Sequence, residues 1–238
     1  MHDAGRTPPP EQAWRLAVLI PALDCEQTIA AAVRGAKERA QAVLVVSDGS
    51  TDATADRAAA AGAEVVCHQT NLGKGTALTT GMRVLAQRGF THVLTMDGDG
   101  QHLGDQIPAL LQEGRAHPHA IVIGARQVTA GSTTAMKVFG NRFANRWVEI
   151  ACGERVPDTQ SGFRIYPLPQ TLDLRVRARR FAFETEVLIR AARAEIPILS
   201  VPVRAFYPPP EARVSHYQPF LDTVRIIFVV LGLIFRLW

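Results

Sequence analysis

Long apolar runs, cysteines and repeats are all scarce in this 238-residue sequence. No stretch reaches the roughly 18–20 apolar residues that a membrane-spanning helix needs, which excludes a polytopic membrane protein. The three cysteines, Cys25, Cys67 and Cys152, form an odd set without CxxC or metal-ligand spacing. They read as reduced thiols of a cytosolic protein. No internal repeat, low-complexity tract or sharp linker interrupts the chain. The opening MHDAGRTPPP lacks a secretory signal, and its polar, Pro-rich character predicts a disordered lead-in over residues 1–13.

What remains is globular in composition, with 47% hydrophobic and 20% charged residues, and of a length that suits one large domain. We expect that domain over residues 14–218 and a separate helix over 219–238. The net charge of +4 is uneven. Residues 1–174 hold 16 Lys/Arg against 17 Asp/Glu, whereas residues 175–238 hold 10 against 5. A nearly neutral body with a basic last quarter points to a partner of negative charge at that end.

From Arg15 to Arg126, short β-branched runs alternate with Ala-rich stretches of helical spacing. The runs are LAVLI (16–20), AVLVV (42–46), AEVVC (63–67), HVLTM (92–96) and AIVIG (120–124). Their length and apolar character predict strands buried on both faces of a mostly parallel α/β sheet flanked by helices. Helices are expected from near Gln27, after Asp52, over 76–88 and over 105–117. Beyond Gly131, AMKVFGNRFANRWVEIACG reads as a helix, VPDTQSGFRIYP as a loop, FETEVLIRAAR as a helix and IPILSVPVRAF as a strand.

Ligands of such sheets bind at the carboxyl ends of the strands. Here those ends read PALD, SDGS, HQTNLGKG, DGDGQ and GAR. In MDGDGQH, Asp97 and Asp99 are hard oxygen donors two residues apart, and Gln101 can add a carbonyl, a set that suits a divalent cation bridging phosphate oxygens. A calcium-binding EF-hand loop is excluded because His102 and Pro108 stand where its Gly and Glu belong. A solvated acidic turn remains the plain alternative. Lys74 lies between Gly73 and Gly75 at a helix start, where free N–H groups favour an anion. The full Walker pattern fails because His68 occupies the place of its first glycine. Asp48 ends a strand, and Asp52 is a candidate N-cap.

In order and spacing, IPALD, VVSDGSTD, NLGKGTAL, MDGDGQH, GAR, DTQSGFR, FETE and VPV resemble the family-2 glycosyltransferases over about residues 15–218. The similarity is closest to the dolichyl-phosphate mannose or glucose synthase branch. The resemblance implies a GT-A fold, Rossmann-like, and inverting transfer of a hexose from a nucleotide diphosphate sugar to a polyprenyl phosphate. It implies donor contacts from Pro21, Asp24, Asp48, Lys74, Asp97, Gly98 and Arg126. It also implies Mg²⁺ or Mn²⁺ on Asp97, Asp99 and Gln101, and phosphate or acceptor contacts from Arg126, Lys137, Arg142, Ser161 and Arg164. Asp97 and Asp99 are the expected catalytic residues. Asp158 is either a general base or a turn residue. Where the family has Tyr-Asn-Glu, this chain has Leu23-Asp24-Cys25, so the nucleoside contact of that Glu is either lost or supplied by Glu26. No nucleic-acid partner is implied, and the oligomeric state is left open.

The stretch from Phe220 to Trp238 pairs a broad apolar face with a stripe of Asp222, Arg225, Gly232 and Arg236. Such a helix can lie in a membrane interface, pack against a second subunit or join the core. Peripheral contact with the cytosolic face of the membrane is the favoured reading. Arg175, Arg177, Arg179 and Arg180 suit either anionic lipid or plain solvent. Rival functions are the same chemistry on a glycolipid or other hydroxyl acceptor and a non-catalytic nucleotide-sugar-binding membrane scaffold.

Overall fold

The computed structural model describes residues 13–99, 104–127, 145–146, 148–150, 153, 156–204 and 219–234. Five strands form where the β-branched runs predict them: β1 (Leu16–Ala22), β2 (Val43–Asp48), β3 (Glu64–His68), β4 (His92–Thr95) and β5 (Ile121–Arg126). Between them lie α1 (Ile29–Lys37), α2 (Thr54–Ala60), α3 (Lys74–Gln87) and α4 (Ile107–Ala116). Then follow β6 (Arg164–Pro167), α5 (Leu168–Asp173), α6 (Phe183–Arg193), β7 (Ile198–Val203) and α7 (Pro219–Ile234). The expected helix beyond Gly131 falls mostly outside the described residues.

The seven strands form one sheet in the order β3-β2-β1-β4-β6-β5-β7. The chain winds from β1 out to β3, then returns to place β4 on the other side of β1, in parallel register from Leu16 opposite His92 to Leu19 opposite Thr95. That reversal leaves a crevice at the carboxyl ends of β1 and β4, where an open α/β sheet binds its ligand.

Alternate side chains of each strand feed two cores. Ala17, Leu19, Leu44, Val46, Val93 and Ile121 pack under α3, α6 and α7. Val18, Ile20, Val43, Val45, Leu94 and Val122 pack under α1, α2 and α4. Burial on both faces holds for β1, β2 and β4 but not for β3 or β7, which are half-exposed. Both are edge strands with a neighbour on one side only.

RIYP, expected as loop, is instead β6, antiparallel to both β4 and β5. Its direction matters for the site. Arg164, its first residue, pairs with Thr95, the last of β4, so the preceding Asp158–Gly162 segment arrives at the ligand end of the sheet.

The last helix is part of the body. Ile226, Val229, Val230 and Leu233 of α7 are buried in the core that α6 shares, and the Arg193 guanidinium donates to the Leu233 carbonyl at 2.9 Å. Within the expected polar stripe, Arg225 is exposed but Gly232 is buried. Asp222 and Arg236 are not among the residues whose side chains are described. Phe228 is 67% exposed. No helix among the described residues is long and apolar enough to cross a membrane.

Candidate active site

A cavity of about 270 Å³ opens at the crevice. It is lined by Pro21, Ala22, Leu23 and Cys25 after β1, Asp48 ending β2, and Asn71, Gly73 and Lys74 before α3. Asp97, Gly98 and Asp99 line it after β4, and Arg180 and Phe181 before α6. Burial pushes the Cys25 thiol up to about 11, which keeps it protonated and unreactive at neutral pH.

The turn before α3 does bind an anion, but the anion is the protein's own. The two oxygens of Asp48, 3% exposed, accept the Leu72 N–H at 3.0 Å and the Gly73 N–H at 2.7 Å. His68 Nδ1 lies 2.7 Å from the same carboxylate. Asp48 therefore shapes the cavity wall with both oxygens already engaged. Another donor of this helix start, the Thr76 N–H, is shared between Gly73 and the Arg179 carbonyl, at 2.9 and 3.1 Å.

Lys74 is similarly committed. Its Nζ lies 2.7 Å from Asp97 Oδ1 and 2.7 Å from Glu184 Oε1. Burial alone would pull this ammonium down, but the two carboxylates outweigh burial and push it above the ordinary lysine value. Gly162 makes the pair possible: a Cβ there would stand 2.8 Å from both Asp97 Oδ2 and Lys74 Nζ. Glu184, 2% exposed, received no role from the sequence. Its signal was available, since FETE sets two acids in the first turn of a helix, where the dipole favours them, among aromatic core positions.

The second acid, Glu186, is fully buried. It accepts the N–H groups of Arg177 and Ala178 at 3.1 and 2.7 Å and the Arg190 Nε at 2.6 Å. It thereby ties the basic 175–180 segment against the site. Arg175, Arg177, Arg179 and Arg180 are exposed.

Several expected binding residues do other work. Asp24 accepts the Thr51 N–H at 2.8 Å, and Glu26 accepts the Ala53 N–H at 3.2 Å before α2. Both stitch the β1 loop to the β2 loop, and neither lines the cavity. The Ser161 hydroxyl donates to the Gly124 carbonyl at 2.7 Å. Arg164 is fully buried and donates to the carbonyls of Ser161, Thr159 and Glu184 and to the Tyr166 hydroxyl. Four of its five N–H donors are thus bonded within the protein, so Ser161 and Arg164 build the loop before β6. Arg126 grips Asp158 through Nε at 2.7 Å and Nη2 at 2.8 Å. Burial would raise the Asp158 carboxyl, but these bonds and the adjacent charge hold it below the ordinary carboxylate value. It is a poor general base. Gln101, Lys137 and Arg142 lie outside the described residues.

Among the described residues no three His, Cys, Asp or Glu side chains cluster into a metal cage. Asp97 and Asp99 nevertheless present carboxylates at one cavity. Magnesium-type ions are commonly held by one or two carboxylates together with substrate phosphates. The donor set fits such an ion.

The family model for glycosyl transferase family 2 matches residues 17–184. The chain is 32% identical over 220 residues to Glycosyltransferase AglJ of Haloferax volcanii, covering 90% of this chain and 70% of that protein. It is 31% identical over 173 residues to Undecaprenyl-phosphate mannosyltransferase of Micrococcus luteus, covering 68% and 70%. Among solved structures, glucosyl-3-phosphoglycerate synthase from Mycobacterium tuberculosis, in complex with Mn²⁺, uridine diphosphate and phosphoglyceric acid, has a TM-score of 0.72 at 22% identity. That match covers 93% of this chain and 78% of the other. It is a likeness of fold.

Proposed function

The chain belongs to glycosyl transferase family 2, and from that premise we propose that it moves a hexose, with inversion, from a nucleotide diphosphate sugar to a polyprenyl phosphate at the cytosolic face of a membrane. The observation that carries the choice of acceptor is the Arg126–Asp158 pair. A hydroxyl acceptor needs a base, and the base that the sequence offered is locked with both oxygens in hydrogen bonds. A phosphate acceptor needs none, because its second pKa of about 6 leaves it largely ionised at pH 7. The relative from Micrococcus luteus carries undecaprenyl phosphate in its name.

In this reading an acceptor phosphate oxygen bonds to the anomeric carbon as the bond from that carbon to the diphosphate breaks. The electron pair leaves with the nucleoside diphosphate. Asp97 and Asp99, with Gln101, would hold Mg²⁺ or Mn²⁺, whose positive charge would stabilise the leaving diphosphate. Asp48 keeps the Leu72–Gly73 turn open as a cavity wall. Lys74 fixes Asp97 through its 2.7 Å ion pair. Phe228, with half-buried Ile227 and Leu231 beside it, gives α7 an apolar outer face suited to the headgroup region.

The test offers membrane-reconstituted protein a panel of nucleotide sugars with polyprenyl phosphate, with and without EDTA. A lipid-linked sugar of inverted anomeric configuration, lost with EDTA, is expected. No product from any donor, or transfer indifferent to EDTA, overturns the reading.

A further inference from the structure

Three of the cations expected to meet phosphate or donor, Lys74, Arg126 and Arg164, are spent inside the protein. Lys74 serves Asp97 and Glu184, Arg126 serves Asp158, and Arg164 serves three carbonyls and a phenol. A nucleoside diphosphate carries two or three negative charges, and beside a metal ion a cation still able to form new bonds strengthens its binding. Two cations among the described residues line the cavity, Lys74 and Arg180. Among the described residues, the Arg180 side chain has no hydrogen bond or ion pair.

Its backbone, by contrast, is fixed on every side. Glu186 holds the N–H groups of Arg177 and Ala178. The Arg179 carbonyl accepts from Thr76 at the start of α3, and the Arg180 carbonyl accepts from Phe183 at 3.1 Å. The Arg180 Cγ packs so closely on Gly73 that a Cβ there would stand 2.8 Å away. The adjacent Phe181 ring centre lies 5.6 Å from Lys74 Nζ. A guanidinium on a tied backbone, lining the same cavity as Asp97 and Asp99, is preorganised for an anionic ligand.

We propose that Arg180 is a donor-binding residue, its guanidinium taking the diphosphate of the nucleotide sugar in the cavity that the Asp97–Asp99 pair also lines. This rests on the glycosyltransferase reading above and names the phosphate-binding cation of that site. The acceptor's phosphate shares the same chemistry, but Arg180 lines the cavity at the ends of β1, β2 and β4 with Pro21 and Asp48, where the nucleotide is expected.

The test is calorimetric and independent of turnover. Wild type, Arg180→Gln and Arg180→Lys are titrated with uridine and guanosine diphosphate in the presence of Mn²⁺, and separately with citronellyl phosphate. Loss of a charge-assisted bidentate contact lowers nucleotide affinity by about tenfold to a hundredfold in Arg180→Gln. Arg180→Lys restores part of it, and citronellyl phosphate binding is unchanged. Unaltered nucleotide affinity in Arg180→Gln, or a loss confined to citronellyl phosphate, overturns the assignment while leaving the proposed function standing. A wild-type protein that binds neither nucleotide overturns the underlying reading itself.

Discussion

Arg126 holds Asp158 in a two-pronged grip, 2.7 Å from Nε and 2.8 Å from Nη2, and adds its own backbone N–H at 2.9 Å. Asp158 sits at a positive φ of 52°, so the pair also fixes a strained turn before β6. Removing one partner of a largely buried pair costs about 3 kcal/mol, and Asp158→Ala is expected to lose about that much in urea unfolding. The carboxyl is depressed when folded, so its stabilisation is present above the ordinary value of 3.8 and lost as pH falls through the lower folded value. The difference between wild type and variant is therefore constant from pH 5 to 8 and shrinks only below about pH 4.

Lys74 gives the opposite sign. Its folded value is raised, so its stabilisation is complete below the ordinary 10.5 and is lost only as pH rises through the folded value. Lys74→Met leaves Glu184 buried without its cation and is expected to cost about 3 kcal/mol. Melting curves should show the same deficit at pH 6 and pH 9. A deficit that vanishes by pH 9 would contradict the ion pair.

Asp99 lies half-buried on the cavity wall. Asp99→Ala is expected to abolish lipid-linked sugar formation and to weaken Mn²⁺ binding, read by electron paramagnetic resonance, with a melting temperature close to that of wild type. Retained Mn²⁺ affinity would remove Asp99 from the ligand set.

Gly73 adopts φ 96°, and any Cβ there runs into the Arg179 carbonyl oxygen. Gly73→Ala combines backbone strain with displacement of the 175–180 segment and is expected to cost about 1–3 kcal/mol. If that segment carries the donor's cation, donor KM rises more than kcat falls. A stability loss with unchanged donor KM would separate the two effects.

Deleting 219–238 is a poor test of membrane contact, because Ile226, Val229, Val230 and Leu233 belong to the core. Phe228→Ser removes only an exposed ring. It is expected to leave stability within about 0.5 kcal/mol and to lower partitioning onto anionic vesicles in flotation. Ile226→Ser is expected to destabilise by about 2 kcal/mol or more. Unchanged flotation of Phe228→Ser would point away from α7 as the contact.

Much of the scaffold was legible because it is written locally. β-branched runs bounded by turn residues mark β1 to β5, and apolar spacing marks α1, α3, α4 and α6. β6 was not legible: four residues that begin with Arg and end with Pro carry no strand period. Arg164 looked like a surface ligand for the same reason, since only the sheet around it supplies the carbonyls that make its burial tolerable. The Asp97–Asp99 motif was readable from its spacing and from its place after a strand. The partners of Lys74, Arg126 and Asp48 were not, because each lies on a different element.

The sequence by itself determined the alternation of strands and helices, the acidic strand end and the family pattern, all properties of neighbours along the chain. The tertiary structure decided which charges remain for a ligand. Pairing depends on distances through space, and in a buried site a carboxylate within 3 Å of a lysine leaves that lysine far less available to a phosphate. So the sequence placed Lys74, Arg126, Ser161 and Arg164 at the ligand by type and order. The fold committed all four to partners within the protein and left the Arg180 side chain, which also lines the cavity, without one among the described residues.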